Sequence, residues 1–287
     1  SLALPEGEYE FGPARVASAT MAEPLKVVVG KDGLGDDIKL QASALAIPPV
    51  LKKAMDRYRN AKYYRDETRV IFNSTQPGNG NIVTRYAYDI AYKSPGTLKI
   101  VTDNNILIAA NGTELSINID GQPAANSVKL DGRIRVLDIA RAWGGFPTPK
   151  HPVLFQNAYR TNGELPLGGS IGGLFVHKLL FDPDRALSRA HSIERIGAAT
   201  LNRKPMTMVQ IVQPAVDVFP GLPFAGTRRG VSTSLMLWID DDGVIHQSRF
   251  RFDMNEVFQQ PPGVQRNMPI VLLTAQHNKI AFEEADD

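Results

Sequence analysis

The 287-residue chain contains no cysteine, which excludes a disulfide framework, a thiol nucleophile and any thiolate metal site. It also lacks an excess of either charge. The 32 Lys and Arg residues stand against 30 Asp and Glu, a formal net charge of +2, and no Lys/Arg block of the kind that tracks a phosphate backbone is present. Nucleic acid is therefore not an expected partner. No apolar run reaches the roughly 18 to 20 residues that a membrane-spanning helix requires, so any membrane association is expected to be peripheral or lipid-anchored. The five histidines, His151, His177, His191, His246 and His277, show no H-x-x-x-H or H-E-x-x-H spacing. Neither a metal nor a cofactor is expected.

What is present is a run of short strands punctuated by turns. In TRYAYDIAYK, Tyr86, Tyr88, Ile90 and Tyr92 alternate with Arg85, Asp89 and Lys93, the period-2 pattern of a half-buried strand. ELSINID repeats it with Leu115, Ile117 and Ile119. Strands are predicted at about 65–73, 82–93, 97–103, 105–110 and 113–120, separated by QPGNGN, SPG, DNN and NG, which supply residues able to take φ > 0. Connections this short require antiparallel neighbours. A second stretch, about Met206 to Phe252, contains MTMVQIVQ and then SLMLWID and VIHQSRFRF around the turn DDDG.

Before and between these stretches the pattern is helical. Pro48-Pro49 followed by Val50, Leu51, Ala54, Met55 and Tyr58 predicts an amphipathic helix over about 49–61. Val136, Ile139, Ala140 and Trp143 share a helical face ended by Gly144-Gly145; Gly172 to Phe181 reads as another helix, and Asp182-Pro183 as the cap and first residue of a short one. Residues 1–46 read as an arm with one strand near Leu25 to Val29, expected to pack along a single domain of 47–287 that carries a helical insertion at about 133–190. The fold class expected is mainly β with some α: a strongly curved antiparallel sheet forming an open half-barrel, its concave face closed by helices.

One motif suggests catalysis. Gly168-Gly169-Ser170-Ile171-Gly172 matches the G-x-S-x-G elbow of serine hydrolases, with Asp217, His246 or His277 available by chain order to complete a triad. The alternating β/α pattern that builds a hydrolase sheet is missing, however, so Ser170 reads as a helix cap in a glycine loop and remains a remote catalytic candidate. The acidic run Asp240-Asp241-Asp242 reads as a hairpin tip and not as a calcium loop. The strand aromatics Tyr86, Tyr88, Tyr92, Trp238, Phe250 and Phe252, together with Trp143 of the helical segment, are the candidate ligand-binding residues, because a sheet curved around an apolar ligand needs such side chains on its concave face.

The order of these elements carries a resemblance. An amphipathic helix ending LKKAMDRYRNAKYYRDE precedes YKSPGTLKIVT and NNILIAANGTELSINIDGQ; a helical middle follows, then RKPMTMVQIV and the final hairpin. Tyr92, Ser94, Pro95, Leu98 and Lys99, followed by Asn111 and Gly112, match a Y-x-S-P-x-x-L-K strand leading to an N/D-G turn. Over about residues 47–255 the chain resembles the bacterial lipoprotein-carrier superfamily of periplasmic carriers, outer-membrane receptors and envelope-stress sensors. The resemblance implies an exported, non-enzymatic protein of the periplasm or cell envelope that binds a lipid or lipoprotein acyl chain in the hollow of a half-barrel. A chain that opens SLALPEGEY without Met fits the expectation of a signal segment lying upstream. The alternative is an envelope interaction or sensor module with a filled core, whose partner is another envelope protein.

Overall fold

The computed structural model describes residues 7–11, 15–16, 19–20, 25–30, 33–34, 41–42, 45–76, 80–103, 105–123, 127–135, 138–139, 175–187, 190, 192–214, 232–253 and 270–283. These fall into two compact units, residues 1–46 and 47–287. The first unit contains β1 (Gly7–Phe11), β2 (Arg15–Val16), β3 (Ala19–Thr20), β4 (Leu25–Gly30), β5 (Gly33–Leu34) and β6 (Gln41–Ala42). They form two three-stranded sheets, ordered β1-β4-β5 and β2-β3-β6.

The second unit begins with α1 (Pro49–Arg59). Pro49 supplies the helical φ at a position whose N–H needs no partner, and Leu51, Ala54 and Tyr58 form one buried stripe. Val50 and Met55 border that stripe and are half-buried. After α1 come β7 (Tyr63–Gln76), β8 (Gly80–Lys93), β9 (Thr97–Thr102), β10 (Ile106–Asn111), β11 (Glu114–Ile119), β12 (Gln122–Pro123) and β13 (Val128–Lys129). Helix α2 (Phe175–Phe181) and a 3-10 turn (Pro183–Arg185) precede β14 (Ser192–Leu201), β15 (Lys204–Pro214), β16 (Ser232–Ile239), β17 (Ile245–Asp253) and β18 (Ile270–Ala281). Pro183 opens the 3-10 turn as expected, although the Asp182 side chain makes no capping hydrogen bond. Of the helix expected around Trp143, only Asp138 and Ile139 are described, and both are helical.

All twelve described strands of this unit belong to one antiparallel sheet ordered β12-β11-β10-β9-β8-β7-β18-β17-β16-β15-β14, with β13 also on β11. The order does not close on itself, so the sheet is an open half-barrel ending in β12 and β14. Strand β18 joins the two meanders by pairing with β7 on one side and β17 on the other.

One face of the sheet is apolar across its width. The register places Ile90, Ile100, Ile108 and Ile117 side by side on β8 to β11, each at most 1% exposed. The next rung is Tyr92, Leu98, Ala110 and Leu115. Across the other half, Val70, Ala275, Ser248, Leu237 and Val209 line up on the same face. Arg65, Arg69, Arg85, Asp89 and Lys93 point the other way and are exposed.

Two of the turns recognised in sequence, at Gly96 and Gly112, abut in space with a third at Gly132. A Cβ on Gly96, in the Ser94-Pro95-Gly96 turn, would lie 2.7 Å from the Gly132 carbonyl oxygen and 2.8 Å from Gly112 Cα. Asn111 beside it accepts hydrogen bonds from the backbone N–H groups of Thr113 and Glu114 through Oδ1. Both clashing atoms are backbone, so Gly96→Ala is expected to destabilise the protein by about 1–3 kcal/mol in urea unfolding. A loss under 0.5 kcal/mol would show that the three turns separate freely.

Candidate functional site

The apolar face meets the helices through aromatic side chains. On α2 every side chain except Lys178 is buried. The His177 ring lies 5.8 Å from that of Tyr88, and the Phe181 ring 5.3 Å from that of Tyr92. Burial lowers the pKa of the half-buried Lys178 ammonium to about 8, against the opposing charge of Asp182. Phe250 lies on the same sheet face, two residues beyond Ser248.

Trp238 does not share that face. It follows the inward Leu237 and pairs with Gln247, so it points to the reverse of the sheet, 8% exposed, with the Arg249 guanidinium 5.4 Å from its ring centroid. Tyr86 and Phe252 lie in β8 and β17, but their side chains, like Trp143 and Ser170 as whole residues, fall outside the described residues. The histidines nominated as partners of Ser170 each bind a carboxylate other than Asp217: His246 binds Asp240 and His277 binds Asp66.

Within the apolar face sits a charged cluster that the sequence analysis did not single out. Asp66 of β7 is 0% exposed and pairs across the sheet with Ile90. The Tyr64 hydroxyl donates to its Oδ2 at 2.6 Å and the Thr68 hydroxyl to its Oδ1 at 2.9 Å. His277 of β18 places Nδ1 2.7 Å from the same Oδ2 and 3.0 Å from Thr68 Oγ1.

Burial pushes the Asp66 carboxyl up. The His277 hydrogen bond and charge, the charge of His177 and the Tyr64 hydrogen bond outweigh this and hold it below the usual carboxylate range. Burial first and the Asp66 charge second drive the Tyr64 phenol well above its ordinary value. An ionised Asp66 requires the proton on His277 Nδ1, which leaves the ring orientation set by the carboxylate. His277 Nε2 is buried and has no hydrogen-bond partner among the described residues.

The sheet parts immediately beside this cluster. Strands β17 and β18 pair from Asp253 opposite Ile270 up to Gln247 opposite Gln276 and no further. On the β16 side, a bulge leaves His246 as an extra residue between Ile245 and Gln247. On the β7 side, the β18 register shifts between Asn278 and Ala281, where Lys279 takes φ 49°.

A cleft of about 420 Å³ opens at this split, its wall including Met206, His246, His277, Asn278 and Lys279. His246 Nε2 lies 2.8 Å from Asp240 Oδ2, and the backbone N–H groups of Asp242 and Val244 donate to Asp240 Oδ1. Burial raises the Asp240 carboxyl, but these bonds, with the charge of His246, bring it below its ordinary range. Among the described residues, no group of three or more His, Asp or Glu is placed to hold a metal ion.

No protein-family model matches the chain, and no curated protein matches it. Solved structures do. LprF from Mycobacterium bovis is 10% identical, with a TM-score of 0.40, over 82% of this chain and 93% of that one. The Mycobacterium tuberculosis lipoprotein LppX is 8% identical, with a TM-score of 0.35, over 83% and 95%. A LolA superfamily protein from Nitrosomonas europaea is 9% identical, with a TM-score of 0.28, over 85% and 96%. One of these three, the Nitrosomonas europaea protein, is by name a member of the LolA superfamily.

Proposed function

We propose that this chain is a non-enzymatic protein of the bacterial envelope that binds an apolar ligand, a lipid or lipoprotein acyl chain, on the inner face of its half-barrel. The observation that carries the reading is the apolar face itself, which extends from β11 to β15 on one open sheet and is interrupted at β7, β18 and β17 by Asp66, Thr68, His277 and Ser248. Tyr88, Tyr92 and Phe250 stand on that face. At about 0.8 kcal/mol per buried methylene, eight methylenes supply roughly 6 kcal/mol before association costs, so useful affinity needs no charged contact. The envelope location rests on the sequence resemblance.

The rival reading, an interaction module, calls for a coherent exposed apolar patch. Among the described residues of the sheet, the large exposed apolar side chains Ile71, Val83, Val101 and Ile196 belong to four different strands. Arg85 stands opposite Ile71, and Asp89 opposite Val101.

Mass spectrometry of an organic-solvent extract of the natively purified protein tests the proposal. A stoichiometric acyl species is expected, and the spectrum would identify its class. An empty extract, together with failure of added fatty acid to bind, would overturn it.

A further inference from the structure

We infer that His277 Nε2 receives an oxygen atom of the bound ligand, so that the ligand is not a plain hydrocarbon but an acyl molecule whose oxygenated end, a hydroxyl, carboxyl or ester, is held beside β18. This rests on the apolar-ligand reading above and adds a point of specificity to it.

Three independent features converge on this atom. The first is its lack of a partner: the His277 side chain is 0% exposed and Nε2 makes no hydrogen bond among the described residues. Burying a polar atom unpaired is unfavourable, and such atoms are rare in folded proteins unless a ligand or an ordered water completes them. The second is orientation. Asp66 and Thr68 fix Nδ1 at 2.7 and 3.0 Å, and Asp66 is itself fixed by Tyr64, so Nε2 is presented in one direction by a ring that cannot turn without breaking two contacts. The third is proximity to an opening in the sheet. The His277 side chain is itself 0% exposed, but the residue belongs to the wall of the 420 Å³ cleft, and β18 beyond it is unpaired to β17 and irregular against β7 where Lys279 takes φ 49°. A non-glycine residue held at positive φ beside a bulge is a feature that concentrates at binding sites.

The chemistry of the partner follows from the ring. With Nδ1–H committed to Asp66, Nε2 offers a lone pair when the imidazole is neutral and an N–H when it is charged. A hydroxyl satisfies either form; a carboxylate or ester oxygen satisfies the second. A hydrocarbon satisfies neither.

The test compares 1-octanol, octanoic acid and octane on the full chain. Each is added in competition with anilinonaphthalene sulfonate, and the His277 Nε2 resonance is followed by nitrogen-detected imidazole NMR. All three are expected to displace the dye. Only octanol or octanoic acid should shift the Nε2 resonance, and His277→Phe should weaken them roughly tenfold while leaving octane unchanged. Because His277→Phe strands Asp66 and could unfold the protein, the NMR arm on the unaltered chain decides independently. Displacement of the dye by all three without any Nε2 shift would overturn this inference alone, assigning Nε2 to an ordered water. Failure of every probe to bind would overturn the apolar-ligand reading and this inference with it.

Discussion

Asp66→Ala is expected to lower the unfolding free energy by about 3–5 kcal/mol, among the largest losses available in the sheet. The reason is asymmetric. The carboxylate costs desolvation energy to bury, but its three partners, Tyr64, Thr68 and His277, are buried with it and aim their donors at it. Removing it takes the acceptor from the buried Tyr64 hydroxyl and leaves Thr68 and His277 with only their mutual 3.0 Å contact inside an apolar face. Asp66→Asn keeps the shape and one acceptor and should cost less.

The pair of variants also separates charge from shape through pH. The folded-state carboxyl lies below its ordinary value, so the stability it contributes is fully present above the unfolded pKa of about 4 and is lost as pH falls from there through the folded value. The difference in stability between the unaltered protein and Asp66→Asn should therefore be constant from pH 7 to about pH 5 and shrink below pH 4. Chemical unfolding at stepped pH checks this; a difference that stays flat down to pH 2.5 would mean that Asp66 is not held as a carboxylate.

The half-barrel was legible in sequence because most of its strands have one wet and one dry face. The alternation in TRYAYDIAYK and ELSINID reappears as the buried Tyr88, Ile90 and Tyr92 of β8 and the buried Leu115 and Ile117 of β11. Strand β18 was not legible. It begins with the continuous run Ile270-Val271-Leu272-Leu273, and its central position, paired on both sides, leaves Leu272 and Thr274 on the outer face half-buried, so the alternation is blurred. Strand β14 was missed for the opposite reason: at the end of the sheet, with a bulge after Arg195, it buries only Ile193 among its ten residues.

Missing β18 meant missing the element that carries His277. Asp66, by contrast, left a readable signal, for in Tyr64-x-Asp66-x-Thr68-x-Val70 a carboxylate occupies core parity in a strand, where it survives only with dedicated partners. Trp238 was misleading because β16 is apolar on both faces, Leu235, Leu237 and Ile239 on one and Met236 and Trp238 on the other, so parity alone could not say which set faces the helices.

Tyr58→Ala should be comparably damaging, at about 3–5 kcal/mol, because one side chain ties α1 to three strands. Its ring packs 5.5 Å from that of Tyr64 at the start of β7 and 5.1 Å from that of Phe282 just past β18. Its hydroxyl accepts the backbone N–H of Ile245, the first residue of β17, at 3.2 Å. The same helix holds the turn between β16 and β17: Lys53 and Arg57 donate to the carbonyls of Asp241 and Asp242, and a Cβ on Gly243 would come within 3.0 Å of the Ala54 nitrogen. Arg57 also stacks on Phe282, 4.4 Å from its ring centroid.

Helix α1 thereby clamps the ends of β17 and β18 at the very place where they stop pairing with each other. Truncating Tyr58 removes the ring contacts and strands the Ile245 N–H, whereas Tyr58→Phe removes only the acceptor and should cost about 1–3 kcal/mol. Hydrogen exchange locates the damage. In Tyr58→Ala, amides of α1 and of β17 around Ile245 should exchange far faster, while those of β9 to β11, which pack on the other half of the sheet, retain most of their protection. A uniform loss of protection would show that α1 is part of one indivisible core. The localised loss would instead make α1 a separable clamp on the adjoining ends of β17 and β18.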